Sequence, residues 1–525
     1  MADKNAKLRL VAALIWIGIA GVLAVAAKFY ILPKYQSDLA EDTGSKSRYE
    51  HEVTVAADSF SGYSIFRSPA LSKSLGQRGI KLTVQDDKAD YEARIKNLKN
   101  GSVDMAVFTI DSYISAAAKL GEFPGSIVLV IDETRGADAI VAYKDALGSL
   151  EDLDDPQARI VITPASPSEF LARTVIAHFS LPTLPEKWWE HADGAQDVFN
   201  RFKAAGKTEK KAYVLWEPFV SRALEIPGAH LLLDSSKLKG YIVDVLVVNR
   251  AFLRDQNELI KSVVEDYLRT AFSYSRKSRG MVELVIQDTS LAGDAFDEKQ
   301  AASLVKGVEW KNTLENYAYF GLLSGTESQG HQHIEDIISN INHVLMQTGA
   351  LEKDPIGGEA NTLFYDKILR ELQNSGFHPG KKVNIIEGLQ TNLADDEAVR
   401  RGPELKELSE DEWDKLLPVG TLKIDPISFG RGSARINIQS QRDLEALAKN
   451  LDAWPEYYLK VIGNVRAEGD PEANKKLAEE RAAAAMDELK KSGCEAKRIR
   501  AVAAAPGGKG GASQSVAFQL GQLPY

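Results

Sequence analysis

Cysteine occurs once in the 525 residues, at position 494, so no disulfide can form within one chain and no cysteine-based zinc site can be assembled. Positive charge is also short. The 64 lysines and arginines are outnumbered by 74 acidic residues, and the formal net charge of -10 excludes a chain that is basic throughout, as dedicated nucleic-acid binders usually are. No Gly-x-Ser-x-Gly elbow, phosphate-cradling glycine loop or His/Cys cluster is present, so no catalytic constellation stands out and no enzyme is expected. No cysteine follows the apolar N-terminal run, so no lipoprotein-type anchor is expected. What remains is a composition ordinary for a globular protein, 44% hydrophobic and 26% charged, in a chain too long for one core. Two or three domains are expected.

The N-terminus speaks to location. Leu10 to Ala27 is an unbroken apolar or small run, extended by Ile31 and Leu32, and near the length needed to span a bilayer. Lys4, Lys7 and Arg9 precede it and place the N-terminus in the cytoplasm, while Phe29, Tyr30, Lys34 and Tyr35 form a belt on the far side. The length favours a retained anchor. The small residues Ala24-Val25-Ala26 also fit a cleaved signal peptide. Either way, the chain beyond about residue 35 lies outside the cytoplasmic membrane.

From Glu52 onward, short strands alternate with helices. Strands are expected at 53–57, 80–84, 103–110, 127–131, 139–143 and 159–163, and an amphipathic helix at Tyr91–Lys99 ends at Asn100-Gly101. This alternation implies a parallel-rich α/β sheet. Helices are expected over Ile334–Met346 and Leu363–Leu372, and Pro379-Gly380 marks a break. Residues 381–420 are charge-rich, with a capping box at Ser409–Glu412. Trp413, Leu416 and Leu417 there are suited to docking on the next domain.

Asn97-Leu-Lys-Asn-Gly-Ser-Val-Asp-Met-Ala-Val-Phe108 resembles a helix–Gly–strand step of periplasmic solute-binding proteins. Ala212-Tyr-Val-Leu-Trp-Glu-Pro-Phe219 and Tyr241–Phe252 are similar to the branch that includes nitrate, sulfonate and thiamine-precursor binders. The resemblance implies two α/β lobes with a small-molecule ligand caught between them. Ligands of open α/β sheets bind beyond the carboxyl ends of strands, where helix N-termini begin. Three loops supply candidate ligand residues: Ser59 and Ser61; Thr109 and Asp111; Thr163, Ser166 and Ser168. Trp216, Glu217 and Asp244 would join them from the second lobe and hinge. Asp111, Glu217 and Asp244 suit an amine, whereas helix N-termini and Arg67 suit an anion, and the ligand's charge stays open. Plain helix capping accounts for the same Ser and Pro residues. His331, His333 and His343 have weak metal-ligand spacing, but a solvated helix start explains them better, and neither metal nor cofactor is expected.

Near the C-terminus, Gly463-Asn-Val-Arg-Ala-Glu-Gly-Asp-Pro-Glu-Ala-Asn-Lys-Lys-Leu-Ala-Glu-Glu-Arg-Ala482 resembles the signature of OmpA-like domains, which hold peptidoglycan. Gly463, Gly469, Asn474, Leu477, Arg481 and Ala482 fall in register, but Arg466 stands where the signature has Asp. The expected order is β-α-β-α-β-β, with an opening strand over Ile427–Ile436. In that family the Asp pairs with the ammonium of the wall peptide's diaminopimelate and the Arg grips its carboxylate. Arg481 and Asn474 are therefore the implied wall contacts, and Arg466 carries the wrong sign for its role. Wall binding and a degenerate docking scaffold both remain open.

The expected organisation is a cytoplasmic N-terminus (1–9), a transmembrane helix (10–32), a tether (33–50), a solute-binding-protein-like domain (51–380), a charged connector (381–420) and an OmpA-like domain (421–525). As a whole the chain resembles a phosphate-type ABC substrate-binding/OmpA fusion. The implied function is an inner-membrane-anchored, periplasmic solute-binding or sensing protein with a peptidoglycan-associating domain, without nucleic acid as a partner. The alternative is a ligandless bridge between membrane and cell wall, within an envelope or transporter complex.

Overall fold

The computed structural model describes residues 49–277, 279–292, 295–323, 332–381, 404–465, 470–504 and 516–523. The expected membrane helix, most of the tether, residues 382–403 of the connector, His331 and Arg466 lie outside the described residues. Among the described residues no helix is long and apolar enough to cross a membrane.

The first sheet starts with β1 (His51–Ala56), β2 (Ile80–Gln85), β3 (Met105–Thr109) and β4 (Gly125–Thr134). The chain then crosses to a second sheet of β5 (Asp138–Tyr143), β6 (Arg159–Ile162), β7 (Trp189–His191), β8 (Lys211–Trp216) and β9 (Ala229–Asp234). It returns to the first sheet through β10 (Val243–Asn249) and β11 (Val308–Trp310). The strand orders are β11-β4-β10-β3-β1-β2 and β7-β6-β8-β5-β9. Parallel pairs link β1 to β2 and β3, and β6 to β7 and β8, while β10 and β5 run antiparallel to their neighbours. Two lobes thus share two crossovers, residues 135–137 and 235–242. β3, β4 and β10 are buried along their whole length, as expected of sheets covered on both faces.

Local chemistry sets the helix limits. The Tyr91–Asn100 helix is capped by Asp90, whose carboxylate accepts from Ala93 N at 2.9 Å. Ser166 precedes Pro167, the first residue of the Pro167–His178 helix. The helix expected from Leu363 instead begins at Lys367. Phe364 makes a β-bridge with Ile127 and Tyr365 N donates to Ile127 O at 2.8 Å, which holds that stretch extended. The Ile334–Gln347 helix buries Ile334, Ile337, Ile338, Ile341, Val344 and Leu345 at helical spacing and packs on helices of both lobes.

The C-terminal domain is a four-stranded sheet of β12 (Leu417–Thr421), β13 (Tyr458–Gly463), β14 (Ile499–Ala503) and β15 (Val516–Gln522), ordered β12-β15-β13-β14. The β-α-β-α-β-β order holds, but the opening strand lies earlier than expected. Ile427–Ile436 is a loop closed by one bridge, Phe429 to Ile436, around a turn in which Ser433 N donates to Gly430 O at 3.0 Å. The late connector belongs to this domain: Leu408, Trp413 and Leu416 pack with Tyr458, while Leu417 is 44% exposed.

This domain sits on the second lobe. Phe179 bridges Leu422, Ser180 N donates to Thr421 O at 2.9 Å, and Lys423 N donates to His178 O at 2.7 Å. Trp454, 1% exposed, meets the edges of His178 and Phe179 at 5.4 and 5.3 Å. Burial pushes the His178 imidazole down to about 4, so the interface holds it neutral near pH 7.

Candidate functional site

The two lobes face each other across the segments that follow β2, β3 and β6. A cavity of about 180 Å³ opens between them, lined by Asp90, Tyr91 and Ser112 of the first lobe and by Pro164 and Ala165 of the second. The expected loops therefore do meet across the cleft at 109–113 and 163–168. None of the ten candidate side chains lines this cavity. Immediate neighbours do: Ser112 beside Asp111, and Pro164 beside Thr163.

Most of the ten are held by the fold. Ser168 Oγ, fully buried, donates to Val214 O at 3.2 Å. Ser166 Oγ donates to Thr163 O at 2.6 Å and caps its helix, while Thr163 Oγ1 is buried without a partner. Thr109 Oγ1 donates to Ser112 Oγ at 2.8 Å. Ser61 is buried in a short 3-10 turn, whereas Ser59 is exposed. Trp216 is half-buried at the end of β8. Glu217 accepts from Ser221 Oγ at 2.8 Å and Ser303 Oγ at 3.0 Å, tying the second lobe to the Glu298–Gly307 helix. Arg67, considered for an anion, is committed elsewhere. It makes a two-pronged ion pair with Asp288, 2.7 Å on each arm, and donates to the carbonyls of Asp58 and Phe60.

Behind Tyr91, and walled off from the cavity itself, which Glu92 and Lys119 also line, lies a buried acidic seam. Asp244 accepts from the Tyr63 hydroxyl and stands opposite Asp132 in the β10–β4 register. Asp58 accepts from Arg94 Nη2 at 2.9 Å, and Arg94, fully buried, also holds Asp87 at 2.6 Å and the Val107 carbonyl. Asp111, 3% exposed, has one oxygen without a partner, and Asp132, 0% exposed, has neither oxygen bonded by a donor of the fold. Asp138 and Glu217 extend the seam into the second lobe, 4% and 7% exposed. Among the described residues, Arg94 is the one cationic side chain bonded to any of these six carboxyls.

Burial is the main cause of the raised pKa values of Asp111, Asp132, Asp138 and Asp244. It pushes Asp111 and Asp138 up to about 7 each, and the charges of Asp244 and Glu217 add to the rise at Asp111 and Asp138 respectively. Burial raises both Asp132 and Asp244; the charge of Asp132 raises Asp244 further, while the hydrogen bond from Asp244 and the charge of Lys311 oppose the rise at Asp132, so the proton of the pair rests on Asp244. Tyr63 and Tyr91 are likewise raised by burial and remain hydroxyl donors.

Asp58, Tyr63, Tyr91, Arg94, Asp132 and Asp138 escaped the sequence reading. One signal was available. Tyr91, Arg94, Ile95 and Leu98 occupy one buried stripe of a helix, and an arginine in such a stripe announces a buried acidic partner.

In the C-terminal domain, Arg481 sits on the Pro471–Lys491 helix, its guanidinium 5.2 Å from the Phe429 ring centre and its Nε donating to Ser433 O at 3.1 Å. Asn474 is half-buried one turn into the same helix. Gly463 ends β13 against that helix, where a Cβ would lie 2.1 Å from the Ala478 carbonyl oxygen.

A family match falls within the C-terminal domain. Residues 428–514 match the OmpA family. No curated protein matches the chain. Similar solved structures include the alkanesulfonate-binding protein SsuA of Xanthomonas axonopodis pv. citri bound to MOPS (16% identity, TM-score 0.45, covering 59% of this chain and 98% of that one). They also include the aliphatic sulphonate-binding protein SsuA of Escherichia coli (14%, 0.45, 65% and 98%) and the nitrate-binding protein NrtA of Synechocystis PCC 6803 (11%, 0.45, 62% and 89%). The chain thus joins a two-lobed α/β domain to a C-terminal domain whose residues 428–514 match the OmpA family.

Proposed function

We propose that this is an envelope protein whose two-lobed domain captures a small, positively charged solute and whose C-terminal domain associates with peptidoglycan. In this reading residues 10–32 anchor it in the inner membrane. The observation that carries the ligand reading is the seam behind Tyr91 of the cavity wall, where six buried carboxyls meet one bonded guanidinium. An isolated buried carboxylate is costly, and a ligand ammonium or guanidinium supplies the missing countercharge and donors. An anion, such as those the similar proteins are named for, would meet Asp111 in the first turn of the Ile110–Leu120 helix, where the helix dipole would otherwise favour it. Catalysis has no support in the arrangement.

Thermal shift of the full chain with a diamine, a guanidine and a quaternary ammonium, beside nitrate, a sulfonate and phosphate, tests the reading. A cation at a hundred times its Kd adds about 2.7 kcal/mol to stability, which such a scan resolves. At least one cation class is expected to raise Tm and the anions to leave it unchanged. A second reading, the ligandless bridge, is favoured by the Ile334–Gln347 helix packed across both lobes and by the apolar cluster of Ala137 and Val285 with Phe60 and Trp310. Absence of a shift with every class would select it.

A further inference from the structure

Lobe rotation in this fold must be absorbed by the two crossovers, because residues 135–137 and 235–242 join β4 to β5 and β9 to β10. Gly136, at φ 119, gives the first crossover a conformation that a side chain would resist. The crossovers are bonded to each other: Arg135 Nη1 donates to Leu238 O at 2.9 Å, and Gly136 N donates to Ser235 Oγ at 2.8 Å.

One side chain of the C-terminal domain reaches both. Glu456 accepts from Lys237 Nζ of the second crossover at 2.6 Å through Oε2, and its Oε1 lies 3.6 Å from Arg135 Nη2 of the first. The three side chains are 23%, 20% and 14% exposed, so the cluster is partly withdrawn from water and weakly screened. Lys239 N donates to Ala453 O at 3.0 Å, adding a backbone tie three residues from Glu456. Tyr241, at the end of the second crossover, shares a hydrogen bond of 2.8 Å with His178 Nε2, and His178 packs on Trp454 of the C-terminal domain.

We infer that the C-terminal domain is a brace across the hinge: Glu456 holds both crossovers at one interlobe angle, so cleft geometry and seating of the C-terminal domain are linked. One carboxylate can satisfy two cations on separate strands only while their spacing is kept. A rotation that parts Arg135 from Lys237 breaks one arm, and a C-terminal domain pulled off the lobe frees both crossovers. By reciprocity, the factor by which seating of the C-terminal domain favours this interlobe angle is the factor by which the angle favours seating. The linkage goes beyond solute capture and exists whether or not a ligand fills the cleft.

Hydrogen exchange of the full chain, read by mass spectrometry, tests the brace without any ligand. Glu456→Gln keeps size and polarity and removes the charge. Exchange is expected to quicken about threefold to tenfold in peptides covering 133–140 and 234–243, the range set by one partly buried ion-pair arm. The reversed pair Lys237→Glu with Glu456→Lys is expected to restore protection in 234–243 but not in 133–140, because the introduced ammonium would repel Arg135. Quickening confined to 450–458, or unchanged exchange in both crossovers, would overturn the inference. So would equal protection of the two crossovers in the reversed pair.

Discussion

Replacing Asp111 with asparagine is expected to stabilise the ligand-free protein, and to do so more as pH rises. The carboxyl is 3% exposed and burial pushes it up to about 7 from an ordinary 3.8. A raised carboxyl contributes stability that is complete below the unfolded value and is lost as pH climbs to the folded one. From that displacement, wild type gives up about 1.7 kcal/mol by pH 5 and about 4 kcal/mol by pH 8 relative to a permanently neutral group. The substituted amide is neutral throughout, and its oxygen can still accept from the Ser112 N–H. The variant should therefore gain about 2.5 kcal/mol more over wild type at pH 8 than at pH 5. That corresponds to roughly 5 °C in Tm for a domain of this size. Thermal unfolding of both full chains at the two pH values is the assay. His178 is displaced the other way, to about 4, but it is common to both chains and cancels. If Asp111→Asn destabilises equally at both pH values, Asp111 is an ordinary structural acceptor and the acidic seam is not a strained site awaiting a cation.

Two further outcomes concern the C-terminal domain. Gly463→Ala should lower its stability by about 1–3 kcal/mol, because the new Cβ meets the backbone of Ala478 at 2.1 Å rather than a side chain that can turn away. Hydrogen exchange across 458–503 would report this, and unchanged protection would mean that strand and helix separate freely. Arg481→Ala should reduce co-sedimentation of the full chain with purified sacculi about tenfold, the value of one charge-assisted hydrogen bond to a carboxylate. Equal sedimentation would remove Arg481 from the proposed wall contact.

The order of elements was legible because each carries a local signal. Alternating apolar runs marked β1 to β6, and the Ser409–Glu412 capping box marked a helix start that the structure keeps. Gly463 and Ala482 fell in the OmpA register for a steric reason: one permits the strand to approach the helix and the other is fully buried. The first strand of that domain was misplaced because β12 contains Pro418 and Gly420, and only pairing with β15 makes it a strand. The cleft loops were legible through strand-end geometry, but the residues within them were not. Ser168 and Glu217 proved to be internal hydrogen-bond partners of the fold, and the seam is formed by Asp132 and Asp244, more than a hundred positions apart.

The sequence by itself determined the modular plan, since periodicity, capping and turn residues act over a few positions and need no distant partner. Tertiary structure alone decided which charges meet. It placed Asp132 against Asp244, withdrew Arg67 to Asp288, and put Glu456 of the last domain on the hinge of the first. Those encounters depend on how sheets stack and crossovers run, and the energy of a buried charge depends on which neighbours the fold leaves it.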